Sequence, residues 1–324
     1  LLMLRRPPRS TQSRSSASSD VYKRQVTILG NNSAVPAFDR HPTSQVVTLD
    51  GTNYLVDCGE GTQIQLINYK IRRSKISHIF ISHLHGDHFF GLPGLLNTFQ
   101  LLGRQKQLDI IGHAELKPFI EYVFEISGSN ILFPINFHCI DVNNPYNEFD
   151  FEEYTVETFP LKHRIPVLGY KITERRKTVK IRKDFKEKYQ PEIYQIHEIL
   201  NGKPFFDKDG NEIPCEEILT QPSVPRCFAY FADTIFDKII VPYIQEVDLL
   251  YHEATYSKLV QKSAAENFHS TAVEAALIAA EAKVKKLLIG HYSSRYKTPE
   301  LLLSEAKQVF SNTITAEDGL LVTI

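Results

Sequence analysis

The sequence has few cysteines and no long apolar run, and both shortages restrict what the protein can be. Its 324 residues contain four cysteines, at positions 58, 139, 215 and 227, and no CxxC pair. That spacing argues against a disulfide scaffold and fits a reducing compartment, so we expect a cytoplasmic protein. No stretch approaches the ~18 apolar residues of a membrane-spanning helix, and we expect none.

Most of the chain also lacks an excess of positive charge. Residues 1–25 carry six of the 37 Lys and Arg residues but one of the 38 Asp and Glu residues. They are rich in Arg and Ser and have no apolar periodicity, so we expect a non-native or disordered extension; a basic tail is the alternative. Residues 26–324 keep 31 basic and 37 acidic residues, a net charge of −6. Nucleic acid would therefore have to bind through a local basic patch.

Strand and helix patterns fill residues 26–324, which we expect to form one domain. β-branched strand patterns dominate early, with a hairpin turn at Asp50-Gly51, and strand–helix alternation dominates later. The segment 77–83 is a continuous apolar run, typical of a strand at the centre of a sheet, and residues 89–103 have helical spacing. These patterns predict an α/β domain of mixed sheets covered by helices.

Three histidines and an aspartate stand close together in residues 81–88, ISHLHGDH, directly after an apolar run. A core would not select that composition, and a solvated loop does not need it. Imidazole nitrogen suits zinc, and a carboxylate compensates the charge of the ion. One turn cannot easily aim four side chains at a single tetrahedral ion, but it can aim two at each of two neighbouring ions. Gly86 is expected to provide the tight turn between them.

Three further residues qualify as ligands because each follows an apolar strand pattern. They are His163, Asp233 and His291. Taken singly, each has an ordinary alternative, a hydrogen-bonded histidine or an aspartate that caps a helix. Together with the motif at 81–88 they favour a two-metal site. His78, His113, His138 and His197 are interpreted as structural or surface histidines.

The HxHxDH motif followed by a distal His, Asp and His resembles the metallo-β-lactamase superfamily. That resemblance implies an αββα sandwich with two mixed sheets flanked by helices and a dinuclear site at one edge. Segments across residues 26–324 narrow it to the ribonuclease Z family, whose members process the 3′ end of tRNA. The segments are LGNNSAVP, DCGEGTQIQ, PLKHRIPVLGY, HEAT at 252–255, HSTAVEAA at 269–276 and HYSSRY.

The family resemblance implies two zinc ions per subunit. By that resemblance one ion is held by His83, His85 and His163. The other is held by Asp87, His88 and His291, and Asp233 bridges them. Asp57 is interpreted as a support for the site or a turn-former.

The same resemblance suggests catalytic roles. Asp87 is expected to orient or deprotonate the attacking water while it binds zinc. His269, held by Glu253, is expected to protonate the leaving 3′ oxygen; the alternative is that this pair only supports the ligands. Arg295 is expected to offset charge on the phosphoryl oxygens. The products would be a 3′-hydroxyl on the tRNA and a 5′-phosphate on the trailer.

A basic stretch lies between His163 and Asp233. Residues 174–188 hold eight Lys and Arg against three Asp and Glu. A solvated helix–hairpin insertion is one interpretation. The family resemblance favours a projecting arm over 174–222 that grips precursor tRNA, in a homodimer where one subunit's arm serves the other's site. The residues expected to bind tRNA are Arg175, Arg176, Lys177, Lys180, Arg182 and Lys183.

Other functions remain as alternatives. A small-molecule phosphodiesterase of the same superfamily would use the same metal site, but the HEAT and HST segments and the basic stretch argue against it. A non-catalytic RNA-binding scaffold would have no reason to keep seven metal ligands. A di-iron oxidoreductase would need a carboxylate in place of His85.

Overall fold

The computed structural model describes residues 24–175, 179–220 and 224–324. The strands are β1 (Arg24–Gly30), β2 (Ser44–Leu49), β3 (Thr52–Val56), β4 (Ile76–Phe80), β5 (Leu108–His113), β6 (Ile135–Ile140), β7 (Asn147–Asp150), β8 (Tyr154–Leu161), β9 (Val167–Glu174), β10 (Phe205–Phe206), β11 (Glu212–Ile213), β12 (Cys227–Phe231), β13 (Leu249–Glu253), β14 (Leu287–Gly290), β15 (Thr313–Thr315) and β16 (Leu321–Thr323).

The α-helices are α1 (Thr62–Asn68), α2 (Gly86–Phe89), α3 (Leu92–Leu101), α4 (Leu116–Ile126), α5 (Lys183–Tyr189), α6 (Ile193–Leu200), α7 (Cys215–Ile218), α8 (Gln261–Glu266), α9 (Ala272–Glu281) and α10 (Glu300–Lys307). Short 3-10 helices occupy Arg73–Lys75, Lys238–Ile244 and Lys258–Val260. In the described part of the chain, no helix is long and apolar enough to cross a membrane.

Two seven-stranded sheets dominate the described structure. The first has the order β16-β1-β2-β3-β4-β5-β6 and the second the order β15-β14-β13-β12-β9-β8-β7. In the first sheet the pairs β3–β4, β4–β5 and β5–β6 are parallel, and in the second the pairs β12–β13, β13–β14 and β14–β15 are parallel. The remaining pairs of the two sheets are antiparallel. The predicted α/β class with two mixed sheets flanked by helices is confirmed.

The side chains of the first sheet alternate between two apolar layers. Phe80 faces the second sheet, where its ring lies 5.3 Å from that of Tyr170, whereas its neighbour Ile79 joins the layer of α3 and α4. Leu55 and Val56 of β3 divide in the same way. Because both faces of these strands are covered, their sequences are continuously apolar instead of alternating.

The predicted helix over 89–103 is wrong at its start. Helix α2 begins within the ligand motif at Gly86, and Gly91 separates it from α3. A Cβ atom on Gly91 would lie 2.1 Å from the carbonyl oxygen of Gly59, so the two backbone segments meet where no side chain fits. The amide of Cys58 donates to the carbonyl of His88 at 2.7 Å, and the amide of Gly91 donates to that of Cys58 at 2.9 Å. These contacts fix the motif against the segment that follows β3.

Strand β1 includes residues 24 and 25, which precede the expected start of the domain at residue 26. Arg24 already pairs with Leu49 in the first sheet, and its Nε lies 2.7 Å from Oε1 of Glu174. The rest of the expected extension, residues 1–23, lies outside the described residues.

The segment between β9 and β12 folds as a small unit of its own. It contains α5, α6, the β10–β11 hairpin and α7, as the helix–hairpin interpretation predicts. Its apolar side chains form a cluster separate from the two larger ones, made of Ile181, Phe185, Ile199, Phe205, Ile213 and Ile218. Strands β9 and β12 are themselves antiparallel neighbours, so the insertion begins and ends at one place in the sheet.

Candidate metal centre

The seven predicted ligands converge at one edge of the sandwich. The motif at 81–88 follows β4 of the first sheet, whereas His163, Asp233 and His291 follow β8, β12 and β14 of the second. Their ligand atoms lie within 4.8 Å of one another in two groups, and Asp233 also forms a third group with His269 and His291. The two groups are His83, His85, His163 and Asp233, and Asp87, His88 and His291.

The carboxylate of Asp233 lies between the two groups and turns one oxygen to each. Its Oδ2 is 3.6 Å from Nε2 of His83 and 3.8 Å from Nε2 of His163. Its Oδ1 is 3.1 Å from Nε2 of His291 and 3.4 Å from Nε2 of His88. This is the arrangement expected of a ligand shared by two ions.

Asp87 provides the second carboxylate. Its Oδ2 is 3.4 Å from Nε2 of His291 and 3.6 Å from Nε2 of His88, and it accepts a hydrogen bond of 2.8 Å from the amide of Ala34. Burial alone would raise the pKa of Asp87, but the neighbouring His88 and His291 lower it below its usual range. The carboxylate is therefore ionised and ready to bind a cation.

Neighbouring groups orient four of the imidazoles so that Nε2 points into the cluster. Each of these histidines is held at Nδ1 by an oxygen, which fixes the ring plane as expected for a metal ligand. The contacts are His83 to Ser82 Oγ at 3.0 Å, His88 to Asp57 Oδ2 at 2.7 Å, His163 to the carbonyl of Phe268 at 2.8 Å, and His291 to Thr255 Oγ1 at 3.0 Å. His85 instead presents its Nδ1, 3.0 Å from Nε2 of His83.

Unsatisfied hydrogen-bonding capacity at two buried atoms of the cluster supports a bound ion. Nε2 of His163 and Oδ1 of Asp233 make no hydrogen bond within the described residues. Buried polar atoms of this kind are costly unless a partner satisfies them. A donor set of imidazole nitrogens and carboxylate oxygens suits zinc and similar ions. The residues thus fit a metal centre.

Asp57 supports the site from beneath, as one of its two expected roles. Its carboxylate contacts Nδ1 of His88 and accepts hydrogen bonds from the amide of Ser82 at 2.7 Å and the hydroxyl of Tyr230 at 2.6 Å. Its backbone also has a φ of 55°, so the turn-forming role applies as well. Ser82, Tyr230 and the hydroxyl of Thr255 were not predicted from sequence, because only the folded chain brings them to the histidines.

The expected role of Gly86 as a tight-turn residue is wrong. Gly86 is the first residue of α2, and its φ is not among the positive values. A Cβ atom there would lie 2.4 Å from the ring of Phe90. Phe90 is 61% exposed, so its ring could move aside, and neither the backbone nor the packing makes glycine obligatory at position 86.

Glu253 and His269 form a buried pair beside the ligands. Oε1 of Glu253 lies 2.9 Å from Nδ1 of His269 and also accepts the amide of Thr234, while Oε2 accepts the hydroxyl and amide of Thr255. Burial alone would lower the pKa of His269, but the charges of Glu253 and Asp233 raise it to about 9. The glutamate thus fixes the ring, and Nε2 is left as the free nitrogen.

A cleft of about 350 Å³ opens onto this cluster. His85, Asp87, Asp233 and His269 line it, and Arg164 stands at its wall. A phosphate group that entered the cleft would meet ligand carboxylates, imidazoles and one arginine together.

The chain is similar to known proteins. Residues 24–174 match the family model described as anti-Pycsar protein Apyc1. A ribonuclease Z of Parabacteroides distasonis is 42% identical over 300 residues, which cover 92% of this chain and 98% of the relative. The chain belongs to the ribonuclease Z family.

Solved structures agree with this membership of the ribonuclease Z family. The human tRNase Z, short form, is 28% identical with a TM-score of 0.67, covering 93% of this chain and 99% of the human chain. The metallo-β-lactamase fold protein YhfI of Bacillus subtilis, 20% identical with a TM-score of 0.66 over 92% of this chain and 98% of YhfI, shares the fold. The predicted family, fold and activity as an endoribonuclease that processes the 3′ end of tRNA are confirmed.

Arg295 is not among the described residues that line the cleft. Its guanidinium lies 4.8 Å from the ring centre of Tyr256, and Nε donates to Ser293. Arg164, which sequence reasoning missed, lines the cleft instead. Nothing in the pattern around Arg164 distinguishes it from an exposed loop residue, because its position depends on the turn after His163.

The expected arm, residues 174–222, is not uniformly basic. Residues 174–222 hold ten Lys and Arg and ten Asp and Glu, because the acidic residues follow in 189–222. Arg182 lies 2.7 Å from Asp184, Lys183 lies 3.5 Å from Glu187, and Arg175 pairs with Asp150. Lys180 is exposed. Arg176 and Lys177 lie outside the described residues.

Four further histidines stand apart from the metal-binding groups of the described residues, in agreement with their structural or surface interpretation. These are His78, His113, His138 and His197. Nε2 of His138 contacts Asp109 at 2.8 Å, in a His–Asp pair that is outside the centre.

Replacement of Asp57 by Asn is expected to weaken metal binding at the site about 10- to 100-fold, with added zinc as the probe. Asn has nearly the same volume and tolerates the left-handed backbone, but its amide cannot accept the hydrogen bonds of Ser82, Tyr230 and His88 together. The zinc dissociation constant, measured by competition with a coloured chelator, tests this. Asp109→Asn breaks a comparable contact with His138 and should bind zinc like the unmodified protein. Equal affinities of the two variants would contradict a role for Asp57.

Proposed function

We propose that this ribonuclease Z removes the 3′ trailer of precursor tRNA with two zinc ions per subunit. One ion would be held by His83, His85 and His163, the other by Asp87, His88 and His291, with Asp233 shared. The observation that supports two ions is the position of Asp233, whose oxygens face separate groups of imidazoles. The products would be a 3′-hydroxyl on the tRNA and a 5′-phosphate on the trailer.

Bound zinc supplies charge neutralisation and lowers the pKa of water at the site. Asp87, whose Oδ2 is fixed by the amide of Ala34, would orient the attacking water or accept its proton. His269 donates a proton from Nε2 to the leaving 3′ oxygen, since its Nδ1 is held by Glu253. Glu253 keeps that ring in place because Thr234 and Thr255 fix both of its own oxygens.

The alternative role for this pair is structural. Thr255 bonds both Glu253 and Nδ1 of His291, so the pair is also placed to support a ligand. A proton donor matters only when the leaving group is poor, whereas loss of a ligand support weakens every reaction.

The purified protein should hold about two zinc ions per chain, because the cluster offers two sets of ligands. Chelation should abolish cleavage of precursor tRNA, and added zinc should restore it. Asp233→Asn should lower the zinc content measured by mass spectrometry, since one oxygen becomes a nitrogen that cannot bind the second ion. Asp109→Asn is the control with a conserved zinc content. One ion per fully active chain, or cleavage that persists in chelator, would contradict the proposal.

His269→Ala should slow single-turnover cleavage of precursor tRNA by about 10²- to 10⁴-fold, the usual contribution of a general acid. Hydrolysis of bis(p-nitrophenyl) phosphate should fall far less, because nitrophenolate leaves without a proton. His138→Ala, outside the site, is the matched control. If both substrates slow to the same extent, His269 supports the ligands and is not the acid.

The arm is proposed to hold the tRNA in a homodimer, with one subunit's arm serving the other's site. The phosphates of the tRNA would be bound by Arg175, Arg176, Lys177, Lys180, Arg182 and Lys183. Arg295 would offset charge on the phosphoryl oxygens. Large apolar side chains exposed on α1 and at the end of α3 support the proposal that a second subunit binds there.

The four cysteines are free, which supports a cytoplasmic location.

A mixing experiment tests the shared arm. In one chain residues 175–225 are replaced by a short turn, which is feasible because the amide of Glu174 already bonds the carbonyl of Arg226. The other chain carries Asp233→Asn. Each alone should fail on precursor tRNA, and an equal mixture should recover about a quarter of normal activity, since half of random dimers are mixed and each has one working site. A mixture as inactive as its components would show that the arm serves its own subunit.

A further inference from the structure

We infer that a cavity beside the metal centre is a subsite for one unpaired nucleotide next to the cleaved bond; this rests on the proposed cleavage of precursor tRNA. The cavity measures about 540 Å³, within the range of small-molecule sites. Residues 160–168, from the end of β8 to the start of β9, line the cavity together with Tyr146 and Ile240.

The cavity continues the path of the metal cleft. His163, a ligand whose Nε2 lies 3.8 Å from Asp233, lines it. Arg164 lines both the cavity and the cleft. A strand whose phosphate reached the metal ligands would therefore place the adjoining nucleotide at the mouth of the cavity, with Arg164 between the two.

An aromatic stack ends at the cavity with an exposed ring. Phe159 and Tyr243 stack at 5.3 Å with an interplanar angle of 13°, and Tyr243 lies 5.5 Å from Tyr146 at 31°. Tyr146 is 48% exposed although it belongs to this stack. Unpaired RNA bases are bound by stacking on such rings, and a base on Tyr146 would extend the stack by one member.

The charge of the cavity suits a phosphate at the end next to the metal ligands. Lys162 and Arg164 flank His163, and both side chains are exposed. Neither has an ion-pair partner within residues 24–175, 179–220 and 224–324. The one acidic residue of the lining, Asp237, is engaged at Oδ1 by the amide of Ile239. Cations at one end and an open aromatic ring at the other distinguish a nucleotide from a purely apolar ligand.

The walls between these ends are apolar. Ile165, Val167 and Ile240 line the cavity, and Ile239 at its rim is 68% exposed. Such walls accept the face of any base, so the subsite would bind a nucleotide without strong sequence preference. The cavity could hold either the last nucleotide kept on the tRNA or the first nucleotide of the trailer, because both offer a base and a phosphate. The experiment below distinguishes these two nucleotides.

The test compares Tyr146→Ala with Tyr122→Ala, an exposed tyrosine of α4 that is remote from the lining. Three precursor tRNAs are cleaved under single-turnover conditions: the natural one, one without the base of the last tRNA nucleotide, and one without the base of the first trailer nucleotide. Each rate is divided by the same enzyme's rate on bis(p-nitrophenyl) phosphate, so that general damage to the metal centre cancels.

Tyr146→Ala should lower the normalised rate on the natural substrate by about 5- to 150-fold, the loss of one stacked base. The unmodified enzyme and Tyr122→Ala should cleave one of the two abasic substrates more slowly than the natural one, by the same factor of about 5 to 150. They should cleave the other abasic substrate at the natural rate. On the abasic substrate that is cleaved more slowly, Tyr146→Ala should cause no further loss, because the ring and the missing base are partners. The sensitive substrate identifies which side of the bond the cavity holds.

Three results would overturn the inference. Equal rates of Tyr146→Ala and Tyr122→Ala on the natural substrate would show that the ring binds no base. Losses that multiply independently on both abasic substrates would place the base elsewhere. Failure of the unmodified enzyme to cleave the natural precursor would overturn the proposed function itself, and with it this subsite.

Discussion

The placement of the Asp233 carboxylate in the interior is the constraint on which the rest of the site depends. The residue is 3% exposed. A buried carboxylate is expensive unless positive or polar groups surround it. Here four imidazoles approach its two oxygens, and they come from both sheets of the sandwich. The two sheets must therefore meet in one register at this edge, and the loops after β4, β8, β12 and β14 have little freedom to move apart.

Asp57 is a second buried carboxylate whose contacts join the two sheets, and it lies beneath the metal-binding groups. It follows β3 of the first sheet, accepts the hydroxyl of Tyr230 from β12 of the second, and contacts His88. A single carboxylate thus joins the two sheets and orients a ligand. The backbone contact between Gly91 and Gly59 locks the neighbouring segments. The geometry of the site is therefore imposed by the packing of the sandwich and not by flexible loops.

Much of this could be predicted from the sequence, for a physical reason. Strands covered on both faces are continuously apolar, so polar residues such as His163 and Asp233 stand out where those strands end. Pro93, in the first turn of α3, was a signal for the helix start that the prediction did not use, whereas the contact of Gly91 with Gly59, 32 positions earlier, is visible only in the fold. Arg164 was not predicted because a turn of the folded chain, and not a sequence pattern, brings it to the cleft. The charge of the arm was overestimated because the basic residues precede the acidic ones, and the fold pairs Arg182 with Asp184.

The position of the arm in the sheet has a consequence for how such enzymes diversify. The insertion leaves and re-enters between two strands that are already hydrogen-bonded neighbours, and it carries a core of its own. Changes in its length, charge or shape need not pass through the sandwich to the histidines. The surface beside the metal-binding groups can therefore change with the insertion, while the sandwich keeps those groups in place.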